Sequence, residues 1–170
     1  MTLLAAVHDT PAGPFTFVGT PAAVHASGFT ASVDDVLALL PPRLRDEPID
    51  KVARVDGPSD AVLAWCDGDV EAPLDVLVDV EGSEYQRRAW AELRRIPAGH
   101  PLTYGGLAAA LGSASARAAG RGCATNPTSL FVPCHRVVRA DGAAHGFAWG
   151  VAVKERALSH EAAHASTGQR

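Results

Sequence analysis

Residues 103–127 read TYGGLAAALGSASARAAGRGCATNP, and their punctuation sets the architecture of the second half of the chain. Thr103 is placed to cap a first helix that Gly112 closes. Ser113 or Ser115 starts a second, and Asn126-Pro127 stops it. Two short helices joined by a few small residues form a helix-turn-helix pattern. The second helix is unusual for a reader of the major groove, which needs long polar side chains at base edges. Ala116, Ala118, Ala119, Gly120, Gly122 and Ala124 offer almost none, with Arg117 and Arg121 as the exceptions. Either the helix packs tightly inside the protein, or it approaches a nucleic-acid backbone or minor groove closely, with one arginine as a wedge.

Upstream, SEYQRRAWAELRRI (83–96) opens with a capping box, Ser83 to Gln86, and puts Tyr85, Ala89, Leu93 and Ile96 on one face. Downstream, SLFVP (129–133) reads as a short apolar strand that delivers Cys134 to a turn. RADGAAHGFAWG (139–150) is a glycine-rich loop resembling the wing of a winged helix-turn-helix. VAVKERALSHEAA (151–163) is a last helix with Lys154, Leu158 and Glu161 at i, i+4 and i+7, so Leu158 should face the core. Two charged residues on that face call for a buried partner.

The first half has a different texture. GPFTFVG (13–19) and AAVHASGF (22–29) read as brief alternating strands, SVDDVLALL (32–40) and DAVLAWCDG (60–68) as short helices. APLDVLVDVEG (72–82) alternates Leu74, Val76, Val78 and Val80 against Asp75 and Asp79, the pattern of a half-exposed strand. This half is α+β by pattern and carries no chemical constellation. Charge divides at the same place. Residues 1–81 hold 4 Lys/Arg against 14 Asp/Glu, a balance of −10; residues 82–170 hold 11 against 5, a balance of +6, within a net charge of −4. The basic half can attract a polyanion that the acidic half would repel. We therefore divide the chain into an N-terminal α/β domain, 1–81, and a mostly α C-terminal domain, 82–170.

No apolar run reaches membrane-spanning length, and the start lacks the basic region of a signal peptide. The three cysteines, Cys66, Cys123 and Cys134, form no C-x-x-C pair, which fits reduced thiols in a cytoplasm rather than a zinc site. Cys134 is open to three readings on composition: a small buried residue, a metal ligand or a nucleophile. Its neighbours favour the last. Pro133 stiffens the turn, His135 adjoins the thiol, and Glu161 can orient the imidazole from the last helix. A thiol attacks well only when deprotonated, so a Cys–His–Glu relay, direct or through a water, is a sensible activator.

NPTSLFVPCHRVV (126–138) resembles the active-site segment of the O6-alkylguanine-DNA alkyltransferases, whose hallmark is P-C-H-R-[VI]. The resemblance extends through YQRRAWAELRRIPAGHPLTYGGLAAALG (85–112), SARAAGRGCATNP (115–127) and VAVKERALSHE (151–161), covering nearly all of residues 82–162. Before residue 82 it rests chiefly on TPAGPFTF (10–17), and it implies a ribonuclease-H-like N-terminal domain beside a winged helix-turn-helix. It also implies a single-turnover repair reaction without cofactor or metal, in which a monomer removes an alkyl group from O6-alkylguanine in double-stranded DNA. Cys134 would accept the group, His135 would take the thiol proton, Glu161 would hold the imidazole, Asn126 would brace the turn, and Tyr104 would protonate the departing base. Arg117 would fill the space left by a base flipped through the minor groove, with Thr103, Ala116, Ala118, Arg121 and Arg136 also at the DNA. Val137, Phe147, Ala148, Trp149 and Lys154 would surround the flipped base.

Two departures from the family pattern stand out. The wing, usually G-Y-x-G-G, here runs Gly146-Phe147-Ala148-Trp149-Gly150, and TYGG replaces the commoner T-Y-G-[EQ]. An indole at Trp149 is expected to fill volume that a benzyl group would need. Two rivals remain: a lesion sensor of the alkyltransferase-like kind, which usually lacks the cysteine, and a transcription factor on the winged fold, which the small residues of 115–125 disfavour.

Overall fold

The computed structural model describes residues 1–113 and 115–165. Its N-terminal half is built on a four-stranded sheet in the order β3-β2-β1-β4. Strands β1 (Leu3–Thr10), β2 (Gly13–Gly19) and β3 (Val24–Gly28) form an antiparallel meander, and β4 (Ile49–Lys51) pairs parallel to β1. The β1–β2 turn closes on Thr10, whose hydroxyl donates to Gly13 O at 2.6 Å and accepts from the Ala12 N–H. Gly13 adopts φ +119°, a conformation other residues rarely hold.

Both faces of this sheet are covered, which is why β3 is buried at every position and β2 along its last five. On one face Leu3, Ala5, Val18 and Ala26 pack with Val36 of α1 (Val33–Leu37) and with Leu40 and Leu44. On the other, Ala6, Phe15, Phe17 and Val24 meet Val62 and Trp65 of α2 (Pro58–Cys66), together with Phe131 and Ala157 from the second half. The apolar core therefore runs across residue 82 without a break.

The second half is mostly helical. Its core joins α3 (Glu84–Leu93), α4 (Tyr104–Ala110) and α5 (Ala116–Ala124) through Ala89, Trp90, Leu93, Leu107, Ala108, Ala119 and Cys123, with Val132, Cys134 and Val137 at its edge. The caps are those expected from sequence: the Ser83–Gln86 box on α3, Thr103 on α4 and Ser115 on α5. A short parallel pair, β5 (Leu102–Thr103) and β6 (Val137–Val138), ties the start of α4 to the residues after Cys134. Helix α6 (Val151–Ala165) returns across both halves. Among the described residues no helix is long and apolar enough to cross a membrane.

Three expectations change. The alternating stretch 74–80 is not a strand: residues Ala72–Asp75 form a 3-10 turn, Leu77 is exposed, and only Val78 bridges to Val24. Pro73 bends its start, and the Arg94 guanidinium occupies the carbonyls of Leu74 and Val76 that a neighbouring strand would need. Residues 129–133 form a tight loop rather than a strand, with Leu130 at φ +75°. The Asn126 side chain reaches over to Val132 O at 2.8 Å and folds the chain back on itself. On α6 it is Ala157, between Lys154 and Glu161, that is fully buried, while Leu158 is half-buried.

Candidate active site

Cys134 begins a single 3-10 turn, Cys134–Arg136, entered from Pro133. The turn is buried as a whole, and it ends in β6. The Cys134 thiol meets a cavity of about 260 Å³ lined by Cys123, Asn126, Ser129, Gly146, Phe147 and Ala148 among others. Helix α5, the 126–129 loop and the 139–150 loop thus converge on one sulfur. Burial pushes the Cys134 thiol up, against the pull of hydrogen bonds from Asn126 and Ser129 and of the Lys154 charge. The resting group is a thiol that needs a base.

The neighbouring His135 imidazole is held in one tautomer. Its Nε2 lies 2.8 Å from Glu161 Oε1, and a carboxylate only accepts, so Nε2 carries the hydrogen. In the neutral ring Nδ1 is then the free lone pair. Nδ1 is buried and has no hydrogen-bond partner among the described residues. Glu161 is wholly buried, and its two oxygens also accept from Trp65 Nε1 at 3.1 Å and from the Arg136 guanidinium twice, each at 2.9 Å. Burial by itself would raise this carboxyl. Electrostatic attraction to His135 and Arg136 and the hydrogen bonds from both outweigh it and hold the group at about 2.

Arg136 is a correction to its expected place at the DNA. It is 2% exposed, and beyond Glu161 its guanidinium donates to Ile96 O at 2.7 Å and Val70 O at 3.0 Å. It is a structural cation inside the protein. Trp65 was invisible as a site residue in the sequence: it comes from α2, some 96 positions away from Glu161 along the chain.

Tyr104 opens α4 and donates its hydroxyl hydrogen to His145 O at 3.0 Å. Burial first, then the nearby Cys123 and Cys134, push its phenol up to about 12, so it stays protonated. Lys154, fully buried on α6, donates to the same carbonyl at 2.9 Å and lies 3.4 Å from the Tyr104 hydroxyl. Together they pin the 139–150 loop at His145, a contact with no signal in the sequence. Val137 is buried in the helical core behind the turn. Trp149 is not on the cavity wall: its indole lies on Gly28 of β3 and donates to Ser129 Oγ at 3.1 Å, so it shapes the wall through Ser129.

Helix α5 answers the question its composition raised by having two faces. Ala119, Gly122 and Cys123 are buried, and a Cβ on Gly122 would lie 2.9 Å from the Ala89 methyl of α3. Ala116, Arg117 and Arg121 are exposed on the other side, with Ala118 and Thr103 half-buried.

Residues 84–163 match the family model for the DNA-binding domain of 6-O-methylguanine DNA methyltransferase. The chain is 42% identical over 93 residues to the bifunctional transcriptional activator/DNA repair enzyme Ada of Escherichia coli, covering 54% of this chain but 26% of that protein. The chain thus spans about a quarter of the length of Ada. It is 39% identical over 132 residues to the methylated-DNA–protein-cysteine methyltransferase of Salmonella typhimurium, covering 75% of this chain and 77% of that one. The crystal structure of the Mycobacterium tuberculosis OGT in complex with DNA superposes with a TM-score of 0.75 at 28% identity, over 95% of this chain and 94% of the other. The mixed α/β fold is theirs, and this chain belongs to the methylated-DNA–protein-cysteine methyltransferase family.

Proposed function

We propose that the protein repairs O6-alkylguanine in double-stranded DNA by direct reversal, moving the alkyl group once and for good onto Cys134. The observation that carries this is the imidazole of His135, fixed by Glu161 with Nδ1 left as a free base next in sequence to a protonated thiol. The thiol proton passes to Nδ1 through a water. The sulfur attacks the alkyl carbon, the S–C bond forms as the C–O6 bond breaks, and the electron pair leaves with guanine. The Tyr104 phenol gives its proton to the departing base and regains one from water, while the His135 imidazolium returns the thiol proton to water, so in sum the proton lost by the thiol is the one guanine gains. Asn126, bonded to Val132 O and to the Thr128 N–H, braces the loop in front of the sulfur.

In this reading α4 and α5 are the helix-turn-helix, residues 139–150 the wing, and the β3-β2-β1-β4 sheet the core of a ribonuclease-H-like unit over 1–81, with 82–170 the transferring unit. The lesion is flipped out through the minor groove, at a cost of a few kcal/mol. Exposed Arg117 fills the vacated stack, with Ala116, Ala118, Thr103 and Arg121 along the same approach; Phe147, Ala148 and Lys154 surround the base. The free thiols fit a reducing cytoplasm.

Intact mass after incubation with a methylguanine duplex tests the assignment: one methyl, about 14 Da in place of a hydrogen, should appear stoichiometrically on the peptide carrying Cys134. Lesion binding with no mass gain would instead indicate a sensor. Arg117→Ala should slow repair of duplex substrate by about tenfold for each 1.4 kcal/mol of lost stacking support, yet leave reaction with the free modified base nearly unchanged. Equal losses on both substrates would leave Arg117 a surface arginine.

A further inference from the structure

The indole of Trp149 is committed to a contact that reaches the reactive sulfur. A Cβ placed on Gly28 would lie 2.1–2.5 Å from three ring atoms of Trp149, so the absence of a side chain at this point of β3 is what lets the indole lie against the strand. From there Nε1 points at Ser129 Oγ, 3.1 Å away. An indole N–H donates and cannot accept, so the serine oxygen is the acceptor and keeps its own hydrogen to give. Cys134 Sγ lies 3.9 Å in front of it, both side chains are buried, and once deprotonated the sulfur can only accept. The same strand fixes the serine from below: Ser27 Oγ donates to Ser129 O at 2.8 Å, and the Ser27 N–H to Pro127 O at 2.9 Å.

We propose that Trp149 is a positioning residue for alkyl transfer: seated on Gly28, it holds the Ser129 hydroxyl so that its hydrogen faces Cys134 Sγ and stabilises the attacking thiolate. The proposal rests on Cys134 being the acceptor, and it gives the N-terminal sheet a part in the chemistry. Strand β3 carries both the seat of the indole and the anchors of the loop. Without the indole the serine hydroxyl is free to turn its hydrogen elsewhere, and the sulfur loses a donor held in place for it.

The test reads the thiolate itself. Ultraviolet thiolate absorbance is followed against pH as the difference between each protein and its Cys134→Ser counterpart, beside methyl transfer from duplex DNA over the same range. Trp149→Phe keeps an aromatic ring on Gly28 and removes the N–H. Its titration midpoint should move up, lowering the thiolate fraction at neutral pH about threefold to tenfold, the range of one lost hydrogen bond. Transfer at neutral pH should fall in step and recover at high pH. Ser129→Ala, which keeps the packing, should shift the midpoint equally, and the double variant should shift it no further. An unmoved midpoint in either single variant, or shifts that add in the double, would overturn the proposal. Failure of the acceptor assignment looks different: the wild type would carry no methyl on Cys134, whatever the titrations give.

Discussion

Cys134→Ser should abolish alkyl transfer while leaving lesion binding in place. Serine is close in size to cysteine and can donate as the thiol does, so the buried 3-10 turn Cys134–Arg136 keeps its packing. The difference is chemical. A hydroxyl is far less acidic than a thiol, and the neutral imidazole of His135 cannot draw its proton off to a useful degree. Burial already raises the thiol, so little reserve exists for a weaker acid. A second thiol serves as an internal control. Cys123 lines the same cavity; in the wild type burial first, then the charge of Cys134, push it up to about 12, and in the variant burial still raises it while no histidine adjoins it in sequence. Mass spectrometry of Cys134→Ser after exposure to methylated duplex should therefore show no added methyl on any residue, while gel-shift titration should still register binding that weakens with salt. A methyl on Cys123 in this variant, or repeated turnover by unmodified wild type, would move the chemistry away from Cys134.

Sequence reading went furthest where a signal is local. The Ser83–Gln86 box, the Thr103 and Ser115 caps and the Asn126-Pro127 stop each act within a few residues, and each bounds the element expected of it. The pairing of His135 with Glu161 was legible because helical spacing placed Lys154 and Glu161 on one inward face. Reading failed where a distant partner decides. Strands β2 and β3 lost their alternation because helices and Phe131 cover both sides of the sheet. Leu74 to Val80 alternate as a strand would, yet Arg94 takes the carbonyls that would have paired. Arg136 sits in a motif that speaks of DNA, but its charge is consumed inside the protein by Glu161, Val70 O and Ile96 O. Trp149 was legible as an unusual residue and not as a ligand of Ser129, because that contact depends on Gly28, 121 positions earlier in the chain.

Glu161→Ala should be strongly destabilising and should also stop transfer. The carboxylate is fully buried and receives His135, Trp65 and both sides of the Arg136 fork. Removing it leaves a guanidinium that is 2% exposed with only the half-exposed Glu71 carboxylate, 3.5 Å away, as a charged partner, and breaking a buried pair from one side costs about 3–5 kcal/mol. For a domain of this size that is a fall in Tm of roughly 6–20 °C, readable by calorimetry or circular dichroism. The pH dependence has a definite sign. A carboxyl held at about 2, below its ordinary 4.5, contributes stability that is complete above 4.5 and is lost as pH falls toward 2. Glu161→Gln should therefore lose this segment of the acid-unfolding curve while keeping more of the packing. The structural and chemical roles separate in a double variant. Replacing Arg136 by Met and Glu161 by Leu removes both charges together, and apolar replacement of a buried pair is often neutral or better. Part of the lost Tm should return, the remainder being held back by the Val70 and Ile96 carbonyls that Arg136 no longer satisfies. Transfer should not return, because His135 Nε2 still lacks the acceptor that fixes its tautomer. If the double variant regains both stability and methyl transfer, Glu161 serves the fold alone and the imidazole needs no orienting partner.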